Sequence, residues 1–153
     1  MKKLSLLLII AGLVVITASS FDYSKVETIS ADIETMTIPQ DDAAAAKYPN
    51  GAKIYATKCF VCHQVNGEGI AGAFPPLKNS DYLLADKKRA VKQVLNGSNE
   101  PMEVNGATYT IPMPFQVDTH QDAVDVINYV LNAWGNNGGT ITLDDVKDIK
   151  IVR

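Results

Sequence analysis

The five residues Cys59–His63, with the sequence Cys-Phe-Val-Cys-His, constrain this chain more than any other feature. Two thiols on one helical turn can add to the two vinyl groups of a single porphyrin, and Cys-x-x-Cys-His is the spacing at which c-type haem is attached. The histidine after the second cysteine can bind the iron as its proximal ligand. The motif therefore predicts a fold built around one covalent haem, held by Cys59, Cys62 and His63.

Other sites that use a pair of cysteines fit the sequence less well. A thioredoxin-like pair follows a β-strand, whereas residues 51–58 have helical spacing. A structural zinc site has four cysteine or histidine ligands, and beyond Cys59–His63 the chain offers only His120. A disulfide between the two cysteines would close a loop too short to restrict the unfolded chain much. Covalent haem is the interpretation that uses all five residues.

The first twenty residues have the outline of a secretory signal. Lys2 and Lys3 precede an apolar run over 4–16, which is followed by the small residues Ala18 and Ser20. We expect cleavage after Ser20, because Ala18 and Ser20 then occupy the small-residue positions of a cleavage site. Removal of the segment is favoured because its apolar run of about thirteen residues is short against the ~20 that a membrane-spanning helix needs. Retention of the segment as an anchor is the alternative.

The balance of charge restricts the partners. The chain has 14 basic and 17 acidic side chains, and removal of Lys2 and Lys3 with the signal would widen the acidic excess. An acidic surface argues against nucleic acid and anionic membranes as partners. We therefore expect redox proteins as partners, with no nucleic acid and no stable membrane insertion after signal cleavage.

The chain divides into four regions: a signal peptide over 1–20, an extended arm over 21–43, a domain over 44–136 and a tail over 137–153. The arm is polar and lacks periodicity, so no regular structure is predicted for it. The tail is predicted to contain a short strand over 140–143, and the pattern indicates no role for it.

Helical spacing of apolar residues predicts an all-α domain. In chain order its helices are a first helix that begins near Pro49 and runs into Cys59, two short helices over 81–84 and 87–95, and a last helix from Asp118 to Trp134. A glycine-rich loop over 66–76 and a proline-rich loop over 98–116 connect them.

The sixth ligand of a His-ligated iron separates an electron carrier from an enzyme or gas sensor, and the candidates here are Met36, Met102, Met113 and His120. Met113 lies in Ile-Pro-Met-Pro-Phe, where two prolines stiffen the loop that would hold a soft sulfur donor against the iron. Met102 lies in a polar segment suited to a turn. His120 lies in the first turn of the last helix, where a histidine is usually solvated. We therefore expect Met113 to be the ligand.

Six short motifs follow one another within residues 44–136. They are Gly51-x-x-x-Tyr55, Cys59–His63, Phe74-Pro75-Pro76-Leu77, Val104-Asn105-Gly106, Met113-Pro114 and Val126-Ile127-Asn128-Tyr129. Together they resemble the class I cytochrome c family of the bacterial periplasmic type. One departure is that Phe115 follows Pro114 directly, where many relatives insert one residue. The resemblance implies an all-α class I fold, in which the N- and C-terminal helices cross and short helices and loops wrap one covalent haem.

The resemblance also implies roles for individual residues. Gly51 would let the first and last helices cross closely, with Tyr55 packed against the last helix. The Pro75 carbonyl would accept the second N–H of the His63 imidazole, and Met113 would complete the axial pair. Relatives receive their haem outside the cytoplasm, so the signal and the motif agree on a periplasmic location.

These features predict a periplasmic electron-transfer protein without catalytic residues, whose one haem c has His63 and Met113 as axial ligands. We expect residues 67–73 and 111–115 to border the exposed haem edge. The alternative is a haem subunit of a larger periplasmic or membrane-associated oxidoreductase, such as a dehydrogenase or nitrite-reducing system. The arm and the tail favour this alternative, because a free carrier needs neither.

Overall fold

The computed structural model describes residues 42–152. The predicted signal peptide, nearly all of the predicted arm, and Met36 lie outside these described residues. Within them the chain is mostly helical with one two-stranded sheet, in agreement with the predicted fold class. None of the helices in this range has the length and apolar character needed to cross a membrane.

The elements are short and follow one another closely. In chain order they are α1 (Asp42–Lys47), α2 (Pro49–Ile54), a π-helical turn (Tyr55–Cys59), α3 (Phe60–His63), α4 (Asp81–Ala85), α5 (Lys87–Asn96), β1 (Met102–Val104), β2 (Ala107–Tyr109), α6 (His120–Val130) and α7 (Leu143–Val146). The most extensive contact between elements is that of α2 with α6.

The crossing of α2 and α6 is centred on Gly51, which is buried. A Cβ atom there would lie 2.8 Å from the Cβ of Tyr129 and closer still to the carbonyl oxygen of Asp125. The φ angle of Gly51 is not positive, so close approach is the reason for the glycine. The Tyr55 ring centroid lies 5.6 Å from that of Tyr129 and 4.9 Å from that of Trp134. The predicted helix crossing is thus present.

The predicted first helix is interrupted by the π-helical turn between α2 and α3. The N–H of Phe60 donates to the carbonyl oxygen of Tyr55, five residues earlier. One additional residue is therefore taken up in this turn relative to an α-helix. Tyr55 and Cys59, the two ends of the turn, are both buried.

The last helix is shorter than the sequence predicted. Its N-cap is Thr119 rather than Asp118, because the Thr119 hydroxyl accepts a hydrogen bond from the N–H of Asp122 (3.1 Å). The backbone leaves the helical conformation before Trp134, whose φ of 55° is left-handed. The apolar stripe of this helix is nevertheless buried in the core, as predicted.

The predicted loop over 98–116 contains an antiparallel hairpin. β1 and β2 pair with Met102 opposite Tyr109. The turn between them is Asn105-Gly106, and both residues have positive φ angles, 51° and 77°. A type I′ hairpin turn requires two positive φ angles and favours Asn-Gly. This pair was the signal in the sequence that identifies the hairpin.

The strand predicted over 140–143 is wrong. The structure has the short helix α7 at its end instead, and Thr142 and Asp145 form a capping box at the N-terminus of α7. The Asp145 carboxylate accepts hydrogen bonds from the N–H and the hydroxyl of Thr142 (2.9 and 2.6 Å). A residue that caps a helix cannot continue a strand, so the local capping interaction overrides the β-propensity of this stretch.

The tail is docked on the domain rather than extended. The Asn128 side chain in α6 exchanges two hydrogen bonds with the backbone of Ile141, both 2.9 Å long. Val146 is fully buried. His120 Nε2 lies 2.8 Å from the carbonyl oxygen of Ile149. His120 is therefore bonded to the tail, and the expectation of a solvated histidine is wrong.

Candidate functional site

A cavity opens between the Cys59–His63 segment, α5, the hairpin and the loop that carries Met113. Its volume is about 150 Å³, roughly ten times what a single water needs by the same measure. Its wall is mainly apolar and includes Leu77, Leu83, Val94, Val126, Ile127 and Val130. A cavity with an apolar wall and a few polar groups is typical of a ligand or cofactor site.

The structure brings all five predicted site residues to this cavity: Cys59, Cys62, His63, Pro75 and Met113. The first three lie at the end of the π-helical turn and in α3, whereas Met113 arrives from the loop after β2. Residues fifty positions apart in the sequence therefore line one space.

Both cysteines are free thiols in the structure. Burial raises the pKa of Cys59 to about 12, and the neighbouring Cys62 adds to the rise. A thiol with this pKa stays protonated at neutral pH and is a poor nucleophile in disulfide exchange. Cys59 is thus in the thiol form that can add to a vinyl group.

The His63 imidazole is held in one tautomer. Its Nδ1 lies 2.9 Å from the Pro75 carbonyl oxygen, which can only accept. Nδ1 therefore carries the proton, and Nε2 has a free lone pair. Burial lowers the pKa of His63, although the hydrogen bond to Pro75 opposes this effect. The ring is thus neutral at neutral pH, which is the form that binds a metal ion.

The backbone of Met113 is fixed by two hydrogen bonds to Ser98. The Ser98 N–H donates to the Met113 carbonyl oxygen (2.8 Å), and the Met113 N–H donates back to Ser98 (2.9 Å). Gly97 passes directly beneath this pair, because a Cβ atom there would lie 2.7 Å from the Met113 carbonyl oxygen. Pro112 and Pro114 also line the cavity. The thioether of Met113 therefore extends from a restrained loop.

Of the other two described candidates for the sixth ligand, one lines the cavity and one does not. Met102 also lines the cavity, because it lies in β1 rather than in the polar turn that was predicted. His120 does not line the cavity and is bonded to the Ile149 carbonyl. Two methionines, Met102 and Met113, thus remain candidates among the described residues.

Only one of the two predicted border segments lines the cavity. Residues 111–114 line the cavity and Phe115 does not. No residue of 67–73 contributes to the wall. Gly67 lies against the indole of Trp134 instead, where a Cβ atom would be 2.5 Å from the ring. The prediction for 67–73 concerns the border of the haem edge and stays a prediction; after His63, the next residue that lines the cavity wall is Phe74.

The sequence analysis did not single out several polar residues of the wall, among them Tyr82, Arg89 and Gln93. The Arg89 guanidinium stacks over the Tyr82 ring, with its Cζ 3.6 Å from the centroid, and donates to the Tyr82 carbonyl oxygen. The Gln93 amide donates to the Tyr82 hydroxyl (3.1 Å). Positions 89 and 93 lie one turn apart on α5, and this spacing was the only signal that they share a face.

The residues of the cavity fit a c-type haem. Two thiols, an imidazole with a free nitrogen and methionine sulfur line the same apolar space. Imidazole and thioether are common axial ligands of haem iron, and an apolar wall suits a porphyrin.

Comparisons with known proteins agree with this fit. A family model described as Cytochrome c matches residues 48–134. The chain is 37% identical to cytochrome c-552 of Thermus thermophilus over 92 residues, which cover 57% of this chain and 70% of that protein.

Two further relatives are subunits of dehydrogenases. The cytochrome c subunit of the quinone alcohol dehydrogenase of Gluconobacter oxydans is 28% identical over 103 residues, which cover 65% of this chain and 22% of that subunit. The gluconate 2-dehydrogenase cytochrome c subunit of Pantoea cypripedii is 29% identical over 106 residues, which cover 65% of this chain and 24% of that subunit. The chain therefore spans about a quarter or less of the dehydrogenase subunits that it matches.

Proposed function

Because the chain belongs to the cytochrome c family, whose members transfer electrons, we propose that it is a periplasmic electron-transfer protein with one haem c. Cys59 and Cys62 would hold the haem through thioether bonds, and His63 and Met113 would be the axial ligands. When bound, the haem supplies an iron that takes up and releases one electron as it alternates between Fe(III) and Fe(II).

One observation carries this proposal. The cavity joins the Cys59–His63 motif to Met113, a distant residue whose backbone is restrained. A chance cysteine pair would not be expected to face a soft sulfur donor across an apolar space. Met113 is favoured over Met102 because its N–H and its carbonyl oxygen are both hydrogen-bonded to Ser98 and its neighbours are prolines.

Pro75 would fix the orientation of the proximal ligand, His63. The hydrogen bond from Nδ1 to the Pro75 carbonyl keeps the imidazole ring in one orientation and raises the electron density on Nε2. A ring that is already oriented does not have to reorganise when the charge of its metal changes. Pro75 is therefore proposed as a positioning residue for His63.

The apolar wall would exclude water from the cavity. Val94, Ile127 and Val130 are buried side chains of this wall. In a space of low dielectric constant, an additional positive charge is disfavoured. The wall and the methionine sulfur would therefore both favour the reduced state and raise the reduction potential.

The haem content is tested on the purified protein. We expect an intact mass equal to that of the polypeptide from Phe21 onward plus one haem, and no haem release into acid–acetone. Freely extractable haem would refute the covalent attachment. A mass that includes residues 1–20 would refute signal cleavage, and enrichment of the protein in the periplasmic fraction tests the location.

The axial ligand is tested with three matched variants. Met113→Ala is expected to lose the weak near-infrared sulfur-to-iron band of the oxidised protein and to bind carbon monoxide when reduced, because the iron would lack its sixth ligand. Met102→Ala and His120→Ala are expected to keep the band and to exclude carbon monoxide. If Met102→Ala shows the loss instead, the assignment of Met113 is wrong.

A second candidate function is that of a haem subunit in a larger oxidoreductase. The dehydrogenase subunits of Gluconobacter oxydans and Pantoea cypripedii favour it, since they match this chain over 103 and 106 residues respectively, about as long a stretch as the 92 residues matched by cytochrome c-552. Gel filtration of a native extract distinguishes the two functions: a free carrier elutes near 16.5 kDa or below, whereas a subunit elutes with its complex. The donor and acceptor proteins would be identified by cross-linking to either form.

A further inference from the structure

Gln64, the residue directly after His63, has a backbone conformation that residues with side chains rarely adopt. Its φ is 64° and its ψ is 165°. In this region of backbone angles essentially only glycine is free of strain. A strained residue persists only where the surrounding contacts hold it, and such residues are concentrated at ligand and active sites. The conformation of Gln64 therefore indicates that other residues hold this turn against its local preference.

The turn at Gln64 determines the path of the chain after His63. It ends α3, and the returning chain brings the N–H of Gly69 to the carbonyl oxygen of His63 (2.9 Å). Further along the same loop, the Pro75 carbonyl oxygen lies 2.9 Å from the His63 ring. The backbone and the ring of His63 are thus both bonded to residues whose positions depend on this turn.

Four hydrogen bonds between described residues converge on Gln64. Its N–H donates to the Phe60 carbonyl oxygen (2.7 Å), and its side-chain amide donates to that of Val61 (3.2 Å). Its own carbonyl oxygen accepts from the N–H of Gly67 (3.2 Å). The fourth bond is the shortest: the Tyr55 hydroxyl donates to the same carbonyl oxygen over 2.6 Å. Tyr55 is the partner that reaches the turn from the other side of the cysteine motif.

The Tyr55 side chain is itself fixed in the core. It is buried, and its ring packs against those of Tyr129 and Trp134. Neither Tyr55 nor Gln64 lines the cavity. Any influence of this pair on a bound iron must therefore pass through His63.

We propose that the hydroxyl of Tyr55 and the strained turn at Gln64 form a clamp that positions His63 for the iron. This inference rests on the proposed function, in which His63 is an axial ligand. Without the hydroxyl, Gln64 would relax toward an ordinary backbone conformation, and the hydrogen bond between His63 and Pro75 would weaken. A weaker bond makes the imidazole a poorer electron donor, which favours the reduced iron and raises the midpoint potential. Tyr55 and Gln64 are thus positioning residues.

The test is Tyr55→Phe in the haem-loaded protein. Phenylalanine keeps the ring in the core, and the Gln64 carbonyl oxygen keeps its bond from Gly67. In the reduced protein, exchange of the His63 Nδ1 proton with solvent, measured by proton NMR, should become about fivefold faster, which corresponds to the loss of one ordinary hydrogen bond. The midpoint potential should shift upward. The near-infrared band should persist, because Met113 is not touched.

A second substitution tests whether strain at Gln64 is the cause. Gln64→Gly added to Tyr55→Phe should restore the proton exchange and the potential, because glycine adopts a φ of 64° without steric cost and the turn no longer needs the hydroxyl. Gln64→Ala added to Tyr55→Phe should not restore them. Alanine lacks the side-chain amide as glycine does, but it is strained in this conformation.

Tyr48→Phe is the matched control, since it removes another tyrosine hydroxyl just before α2. That hydroxyl is buried and has no hydrogen-bond partner among the described residues. Both readouts should keep their wild-type values. The proposal is overturned if proton exchange in Tyr55→Phe stays at the wild-type rate, if alanine restores it as fully as glycine, or if Tyr48→Phe changes it equally. Haem content by mass and the near-infrared band are recorded for every sample, so failure of the proposed function is recognised separately.

Discussion

The two sides of the cavity are built from the sequence in different ways. The attachment side, which consists of Cys59–His63 and Pro75, lies within one short stretch of chain. The methionine side, which consists of Arg89, Met102 and Met113, comes from α5, the hairpin and the following loop. Long-range hydrogen bonds join the methionine side, such as the pair between Ser98 and Met113.

This difference predicts which amino-acid substitutions each side of the cavity can tolerate. The attachment side depends on the position of one helix, and the α2–α6 crossing provides that position. The methionine side depends on turns, because Gly97 and the hairpin determine where its backbone passes. A substitution far from the cavity should therefore damage one side and leave the other intact.

The largest effect on stability is expected for Gly51→Ala. The new Cβ would collide with the backbone carbonyl of Asp125, which cannot move without the helix. Overpacking of this kind should lower the free energy of unfolding by about 3 kcal/mol. Guanidinium denaturation of the haem-loaded protein measures the loss. The near-infrared band should persist, since the methionine side is not touched.

Asn50→Ala is the matched control for this crossing. Asn50 is exposed, and its amide donates to Asp125 over 3.4 Å. The change should stay within about 0.5 kcal/mol, as is usual at the surface. If Gly51→Ala loses no more than Asn50→Ala, α2 and α6 do not depend on their close approach.

A smaller effect, confined to the methionine side, is expected for Gly97→Ala. Gly97 has a φ of 80°, so alanine is strained there, and its Cβ would also press on the Met113 carbonyl oxygen. We expect a loss of about 2 kcal/mol, together with a weaker near-infrared band, because the Met113 loop is displaced. Spectra and denaturation curves of one sample give both values.

Gly106→Ala is the control that separates backbone strain at a positive φ angle from displacement of the Met113 loop. Gly106 has a similar φ of 77°, but a Cβ atom there would meet nothing within 4 Å. Its substitution should lose about 1 kcal/mol from backbone strain and leave the band unchanged. A band that weakens equally in both variants would show that Gly97 does not position Met113.

The smallest effect is expected for Asp145→Ala, because α7 belongs to neither side. Hydrogen bonds from Thr142 lower the pKa of Asp145. The carboxylate therefore stabilises the folded protein at neutral pH, and this contribution disappears as the pH falls through the lowered folded pKa. The difference between wild type and variant should be measurable by denaturation at pH 7 and vanish in acid.

Asp144→Ala is the control for the capping box. Asp144 is also exposed, and it pairs with Lys147 one turn away at 3.5 Å. Since an exposed pair of this kind contributes little, its removal should have a smaller effect at neutral pH than the loss of Asp145. Equal effects of the two variants would show that charge, not the capping box, is responsible.

The attachment side was predictable because its information is local. The spacing in Cys59–His63 predicts the cofactor, and Gly51 predicts the helix crossing once the resemblance is noted. The covalent attachment and the choice of Met113 as axial ligand stay predictions until they are measured. Local patterns therefore indicate what a segment can bind before its neighbours are known.

The methionine side and the tail were predicted less well, because long-range contacts decide them. Met102 was assigned to a turn, although the Asn105-Gly106 pair places it in a strand that faces the cavity. The stacking of Arg89 on Tyr82 depends on how α4 meets α5, which periodicity does not describe. The docking of the tail depends on the Asn128 side chain. No local pattern in the sequence marks such pairs.

The π-helical turn Tyr55–Cys59 also fixes an angle. Each residue of an α-helix advances the chain by about 100° around its axis, so one additional residue changes the rotational phase of everything that follows by roughly that amount. The face with Gly51 is directed at α6, and the face with the two cysteines is directed at the cavity. The additional residue of the π-helical turn lets the two faces point in these two directions along one continuous helical segment. A deletion of one residue that restored a regular α-helix would therefore rotate the motif away from the cavity, although every ligand would still be present in the chain.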